Sequence, residues 1–210
     1  MNNRNEIIYQ KSTSSIRLRF SIESRINYNG MDLRGWQDKR SDIFRIDSQI
    51  PLVEDYFIKY DLNVHTYSLS AGNNYTLERN VEGLYHELGL KRASLKNFQY
   101  EVMAVYYTDN ASSTLFDKDV SAFGLKGDFV KFLNKNGRID CRIDFFDANG
   151  FDGMPAEALK GISSDKTIRA NLSSSVMIDR SLSINTSIIY TDSERYSGFF
   201  QIVGELRAYF

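Results

Sequence analysis

The sequence predicts an all-β protein of about ten antiparallel strands in up-and-down order. Three observations carry this prediction. Apolar and polar residues alternate along nearly every segment, which is the periodicity of a strand with two different faces. Turn-forming residues separate these segments, and the connections alternate between short and long along the chain. Short connections therefore fall at one end of the sheet and long ones at the other, and the strands are predicted to close into a barrel.

Ten segments show the alternation, near 16–28, 41–52, 55–68, 76–90, 97–109, 119–133, 137–147, 168–178, 182–190 and 199–210. The seventh is the clearest, because Ile139 and Ile143 share one face while Arg138 and Asp140 share the other. The fourth is the weakest, because Arg79 falls on the face predicted to be apolar. Its Glu, Leu and Arg content also fits a helix.

The turns and the chain ends define the domain organisation. Asn136-Gly137 is a strong dipeptide for a tight hairpin between the sixth and seventh strands. Residues 1–13 precede the first alternating segment and are predicted to be an N-terminal tail or linker. Residues 14–210 are predicted to form a single barrel domain, since one all-β domain of this length is ordinary. The last strand, which ends at Phe210, is expected to pair with 16–28 and so close the cylinder.

The strands are predicted to cross a membrane with their apolar face outward. The mean hydropathy is -0.39, and no run approaches the roughly 18 apolar residues of a membrane-spanning helix. Membrane strands, however, need only alternate. The segments are longer than those of most soluble sheets, and aromatic residues such as Tyr56 and Tyr106 sit near their ends, where interfacial girdles belong. The opposite face carries cations and anions in balance, which suits a narrow lumen where charges must pair.

The C-terminal strand resembles that of Gram-negative outer-membrane β-barrels. The residues that carry the resemblance are the terminal Phe210 and the apolar series Ala208, Leu206, Gly204 and Ile202. One departure is Ala208, where the family has a bulkier residue. The resemblance implies a location in the cell outer membrane, contact with its lipid bilayer, and recognition by the barrel-assembly machinery through the strand ending in Phe210. The sequence begins without a signal segment, and a larger membrane complex or a fused N-terminal domain is therefore expected.

No catalytic, cofactor-binding or metal-binding residue is predicted, so the protein is expected not to be an enzyme. His65 and His86 are both predicted to face the lumen. No acidic pair of the kind that omptin-like barrel proteases use lies next to His65, and His86 falls towards the short-turn end, away from any rim site. The His-x-Ser arrangement of lipase-like barrels is also missing, because Tyr67 stands two places after His65. The segment 147–153 only partly fits a calcium loop, and no basic face with stacking aromatics predicts nucleic-acid binding.

The predicted function is that of a membrane anchor, structural component or surface-interaction component with a lumen largely closed by paired charges. Small barrels are filled by side chains, and channels open only at larger strand numbers. Two alternatives stay open at this point. The first is a narrow pore for ions or small solutes, and the second is a soluble ligand-binding barrel whose apolar face points inward.

Overall fold

The computed structural model describes residues 2–12, 16–32, 35–71, 78–93, 98–113, 117–133, 136–149, 158–162, 166–178, 182–193 and 196–208. Phe210 and most of the segment 147–153 lie outside these residues. Trp36 is described only through its backbone. No helix in this part of the chain is long and apolar enough to cross a membrane.

The described residues form one antiparallel sheet with the strands in chain order, which confirms the predicted all-β, up-and-down arrangement. The strands are β1 (Asn2–Ser12), β2 (Arg17–Asp32), β3 (Gly35–Val53), β4 (Tyr56–Ala71), β5 (Arg79–Arg92), β6 (Phe98–Ser113), β7 (Asp117–Leu133), β8 (Gly137–Asn149), β9 (Lys166–Met177), β10 (Leu182–Ser193) and β11 (Tyr196–Ala208). A short turn, Ala158–Gly161, is described between β8 and β9.

Residues 2–12 correct one expectation. They were predicted to be a tail or linker, but they form β1, which pairs with β2 from Asn2 opposite Asn27 to Ser12 opposite Arg17. Such pairing is made by backbone groups, so a segment without side-chain alternation can still take part in it. β1 therefore occupies the edge of β2 where the last strand was expected. Among the described residues, β1 and β11 are the two edges of the sheet.

The connections at the long-loop end are shorter than predicted, because the strands continue further. The segment 29–40 was expected to be a loop, but β2 and β3 run on until Asp32 lies opposite Gly35. β6 and β7 likewise extend to Ser112 opposite Asp117. The connection between β8 and β9 stays long, and part of it folds back onto the sheet.

One face of the sheet, called the outer face here, carries the apolar belt that the alternation predicts. On β4 this belt covers 56–64, and a strand of about nine to eleven residues is what a tilted membrane crossing needs. Large exposed hydrophobic side chains of the outer face include Ile22, Phe44, Ile50, Val64, Leu88, Val102, Tyr106, Phe123, Leu125, Ile143, Phe145, Ile168, Leu172, Ile184, Tyr190, Phe200, Ile202 and Leu206. In a soluble barrel the apolar face points inward, so an apolar face directed outward is the opposite arrangement.

The orientation predicted for the fourth segment is wrong. Val81, Tyr85 and Glu87 of β5 are buried on the inner face, while Leu88 is exposed on the outer face. Because β5 pairs with β4 so that His86 lies opposite Leu62, His86 is on the outer face and not in the lumen. The prediction failed because the inner face is apolar around Val81. The alternation therefore assigned the apolar side chains of this strand to the outer face, although they lie on the inner one.

Candidate functional site

The inner face of the sheet is covered by the segment between β8 and β9. Residues 158–162, called the plug segment here, pack against β6 and β7. Ala158, Leu159 and Ile162 are completely buried. A barrel lumen lined only by charges could not bury these side chains, so the strands around them must also be apolar inside.

An apolar cluster on the inner face receives the plug segment. Its members on the strands are Val81, Tyr85, Met103, Val105, Tyr107, Ala111, Val120, Ala122, Phe146 and Ala148. The ring of Tyr107 lies 5.9 Å from that of Phe146 and 4.5 Å from that of Tyr85. β6 therefore carries apolar side chains on both faces over this stretch. Those of the inner face lie in the cluster that receives the plug segment, and those of the outer face belong to the apolar belt.

Asp109 anchors the backbone of the plug segment. The backbone N–H of Leu159 donates to Oδ2 of Asp109 at 2.6 Å, and the hydroxyl of Tyr85 donates to the same oxygen at 2.8 Å. Nε2 of His65 lies 3.3 Å from the other oxygen, Oδ1. Asp109 is almost completely buried, and a buried carboxylate needs such partners because desolvation is costly.

Gly83 makes the approach of His65 to Asp109 possible. It lies between them, opposite His65 on β4 and opposite Asp109 on β6. A Cβ atom at this position would lie 1.7 Å from Oδ1 of Asp109 and 2.4 Å from Cε1 of His65. Any larger residue would therefore occupy the space in which the two side chains meet.

Glu87 anchors the side chain of Lys160. Nζ of Lys160 donates to Oε1 of Glu87 at 2.6 Å, and the hydroxyl of Tyr107 donates to the same oxygen at 2.5 Å. Nζ of Lys126 donates to the second oxygen, Oε2, at 2.9 Å. Glu87 is therefore compensated by two cations and one hydroxyl within a partly buried network.

The plug segment is strained. Leu159 has φ 50° and Lys160 has φ 54°, which places two successive residues that are not glycine in the left-handed region. Each such residue costs about 1–2 kcal/mol. The burial of Leu159 and the two carboxylate anchors keep the segment in this conformation.

Charged side chains pair along the rest of the inner face. Lys59 bridges Asp61 at 2.9 Å and Glu101 at 2.8 Å, and Arg142 donates to Asp128 at 2.5 Å. Beside the plug segment, a cavity of about 280 Å³ is lined by charged and polar side chains: Arg45, Asp47, Asp61, Asn63, Tyr85, Glu87, Lys126 and Lys160. These pairs agree with the prediction of a lumen in which charges compensate one another. Glu82 lies instead on the outer face, opposite Thr66.

The two histidines have different environments. His65 faces inward as predicted, but it has an acidic neighbour in Asp109, which the sequence did not reveal because Asp109 lies two strands away. His86 faces outward, where its Nδ1 lies 2.9 Å from the hydroxyl of Tyr60. Among the described residues, no three His, Cys, Asp or Glu side chains come together as a metal site would require.

Sequence reasoning missed the plug segment and its anchors. A signal was present in β6, where Met103, Val105 and Tyr107 make the inner face apolar while Val102 and Tyr106 make the outer face apolar. A strand that is apolar on both faces is expected to have apolar surroundings on both. In a membrane barrel it therefore indicates that something apolar fills the lumen beside it.

The arrangement resembles that of solved transmembrane barrels. The β domain of the Bordetella autotransporter BrkA has a TM-score of 0.51 with this chain at 11% identity, and the match covers 100% of this chain and 90% of that one. The translocator domain of the autotransporter NalP from Neisseria meningitidis gives 0.47 at 11% identity, covering 100% and 79% of the two chains. No family model and no curated protein matches the sequence. The likeness to the BrkA β domain shows the fold alone, which is that of an antiparallel up-and-down β-barrel.

Proposed function

We propose that the chain is an outer-membrane β-barrel that acts as a membrane anchor, structural component or surface-interaction component with an occluded lumen. The observation that carries this proposal is the plug segment, whose Leu159 and Ile162 are completely buried against the inner face. A lumen filled by packed apolar side chains and paired charges has no continuous aqueous path of the kind that wide barrels provide.

The membrane location is supported by the composition of the outer face. The apolar belt would be exposed to water in a soluble protein, and contiguous apolar patches of this extent are rare on soluble monomers. Each strand from β2 to β10 is paired with a neighbour on both sides, as backbone groups in lipid require. The proposal has two further parts. Recognition by the barrel-assembly machinery rests on the resemblance of the strand that ends at Phe210, and a larger complex or a fused N-terminal domain is what the barrel would anchor.

Two measurements test the proposal. The refolded chain should float with lipid vesicles in a density gradient and should form no steady channels in a planar bilayer. A monodisperse monomer in detergent-free buffer would overturn the membrane location. Steady openings that disappear in the Arg142→Glu variant would overturn the occluded lumen.

A narrow pore for ions or small solutes is the second candidate. It is favoured by the charged cavity beside the plug segment, which is lined by residues such as Arg45 and Asp61. If ions cross the barrel, charge reversal at Arg45 should change the cation-to-anion permeability ratio. In the occluded barrel the same substitution should leave the bilayer without conductance.

A further inference from the structure

The ammonium group of Lys160 lies in a cage of two aromatic rings and one carboxylate. Its Nζ lies 4.5 Å from the ring centroid of Tyr107 and 4.9 Å from that of Tyr85. The same atom is 2.6 Å from Oε1 of Glu87 and 3.3 Å from the hydroxyl of Tyr107. Cations within about 6 Å of an aromatic face are attracted by it, and proteins bind organic ammonium ions in such cages.

The walls of this cage are held by partners other than Lys160. The hydroxyl of Tyr85 donates to Asp109, and that of Tyr107 donates to Glu87, so both rings are fixed by buried hydrogen bonds. Glu87 also keeps its ion pair with Lys126. Removal of the Lys160 side chain would therefore leave a prepared site with one carboxylate oxygen directed into it.

The cage is also accessible from the lumen. The charged cavity of about 280 Å³ beside the plug segment is lined by Tyr85, Glu87 and Lys160, and the side chain of Lys160 is 40% exposed. A small molecule in that cavity would reach the cage without crossing the apolar cluster. The strained backbone at Lys160 means that its ammonium is held at the expense of local conformational energy.

We propose that Tyr85, Tyr107 and Glu87 form a binding site for a primary alkylammonium ion, and that Lys160 occupies it as an internal ligand. A primary amine fits better than a quaternary one because Lys160 donates hydrogen bonds to both Glu87 and Tyr107. The ligand class is an aliphatic amine, free or carried on a lysine side chain. This inference concerns the lumen wall and goes beyond the proposed function, since it stands whether or not ions cross the barrel.

Calorimetric titration of the full chain in detergent micelles with n-butylammonium chloride tests the proposal, with sodium chloride of equal ionic strength as the reference. The Lys160→Ala variant should bind n-butylammonium at least tenfold more tightly than the unmodified chain. Lys160→Arg should not gain binding, because its side chain still fills the cage. Lys126→Ala is the matched control, since it removes the other cation of Glu87 but leaves the cage occupied.

Two double variants and a second probe complete the experiment. Lys160→Ala combined with Glu87→Gln or with Tyr107→Leu should lose the gained affinity. Titration with Nα-acetyl-lysine amide distinguishes a peptide lysine from a free amine as the source of the ammonium. If Lys160→Ala does not fold, Lys160→Gly takes its place with the same probe, because it also empties the cage and glycine suits the positive φ at this position. The proposal is overturned if the Lys160 variant binds no better than the unmodified chain, or if Lys126→Ala gains as much.

Discussion

Oδ2 of Asp109 accepts a hydrogen bond from the backbone N–H of Leu159 at 2.6 Å, and this contact joins strand β6 to the plug segment. The two residues are 50 positions apart in the chain. The bond is buried, and the same oxygen also accepts the hydroxyl of Tyr85. The plug segment is therefore held in part by a carboxylate that is distant from it in the sequence.

The substitution Asp109→Ala should destabilise the protein and loosen the plug segment. It leaves the Leu159 N–H and the Tyr85 hydroxyl without their acceptor in a buried site, which costs about 1–3 kcal/mol for each unsatisfied group. Urea unfolding in lipid vesicles measures this loss. Asp128→Ala is the matched control, because Asp128 pairs with the exposed Arg142, and such pairs contribute about 0–1 kcal/mol. Equal losses in the two variants would contradict the anchoring role.

The substitution Gly83→Ala should destabilise the protein although it adds only one methyl group. The new Cβ would lie 1.7 Å from Oδ1 of Asp109, so the carboxylate that holds the plug segment must move. Overpacking of this kind costs about 1–3 kcal/mol. Gly204→Ala is the control, because nothing lies within 4 Å of a Cβ at that position. A thermal unfolding midpoint that falls only for Gly83→Ala is expected, whereas similar midpoints for both variants would count against the close contact.

The substitution Leu88→Arg should be costly only if the outer face meets lipid. The Leu88 side chain is 55% exposed in the apolar belt, and an arginine at the membrane midplane costs about 2–4 kcal/mol. Glu82→Arg lies on the same face of β5 but beyond the belt, so it should change the free energy of unfolding by less than about 0.5 kcal/mol. Urea unfolding in vesicles compares them. If Leu88→Arg were as mild as Glu82→Arg, the belt would not be in contact with hydrocarbon.

The sequence predicted the strands and their apolar face because both depend on local alternation. The assignment of Ile139 and Ile143 to one face, and of Arg138 and Asp140 to the other, required no knowledge of the rest of the chain. The pattern failed at Val81 and Tyr85, where the inner face is apolar. There the alternation no longer distinguishes lipid from a filled lumen, so His86 was assigned to the wrong face.

The candidate site could not be predicted, because its contacts join distant positions. Lys160 meets Glu87 across 73 residues, and nothing near either residue marks the other as its partner. β1 escaped prediction for a different reason, since backbone pairing with β2 leaves no trace in side-chain periodicity. What the sequence did contain was a strand, β6, with apolar residues on both faces, and this feature indicates a filled lumen.

The most direct test of the central claim, that the outer face contacts lipid and the inner face does not, is fluorescence quenching by brominated lipids. In a Trp36→Phe background, tryptophan is placed either at Leu172 on the outer face or at Ser173, the next residue, on the inner face of β9. We predict that vesicles of lipid brominated along the acyl chain quench the Leu172→Trp variant strongly and leave the Ser173→Trp variant nearly unchanged. Equal quenching of the two variants, or stronger quenching at Ser173, would contradict the account.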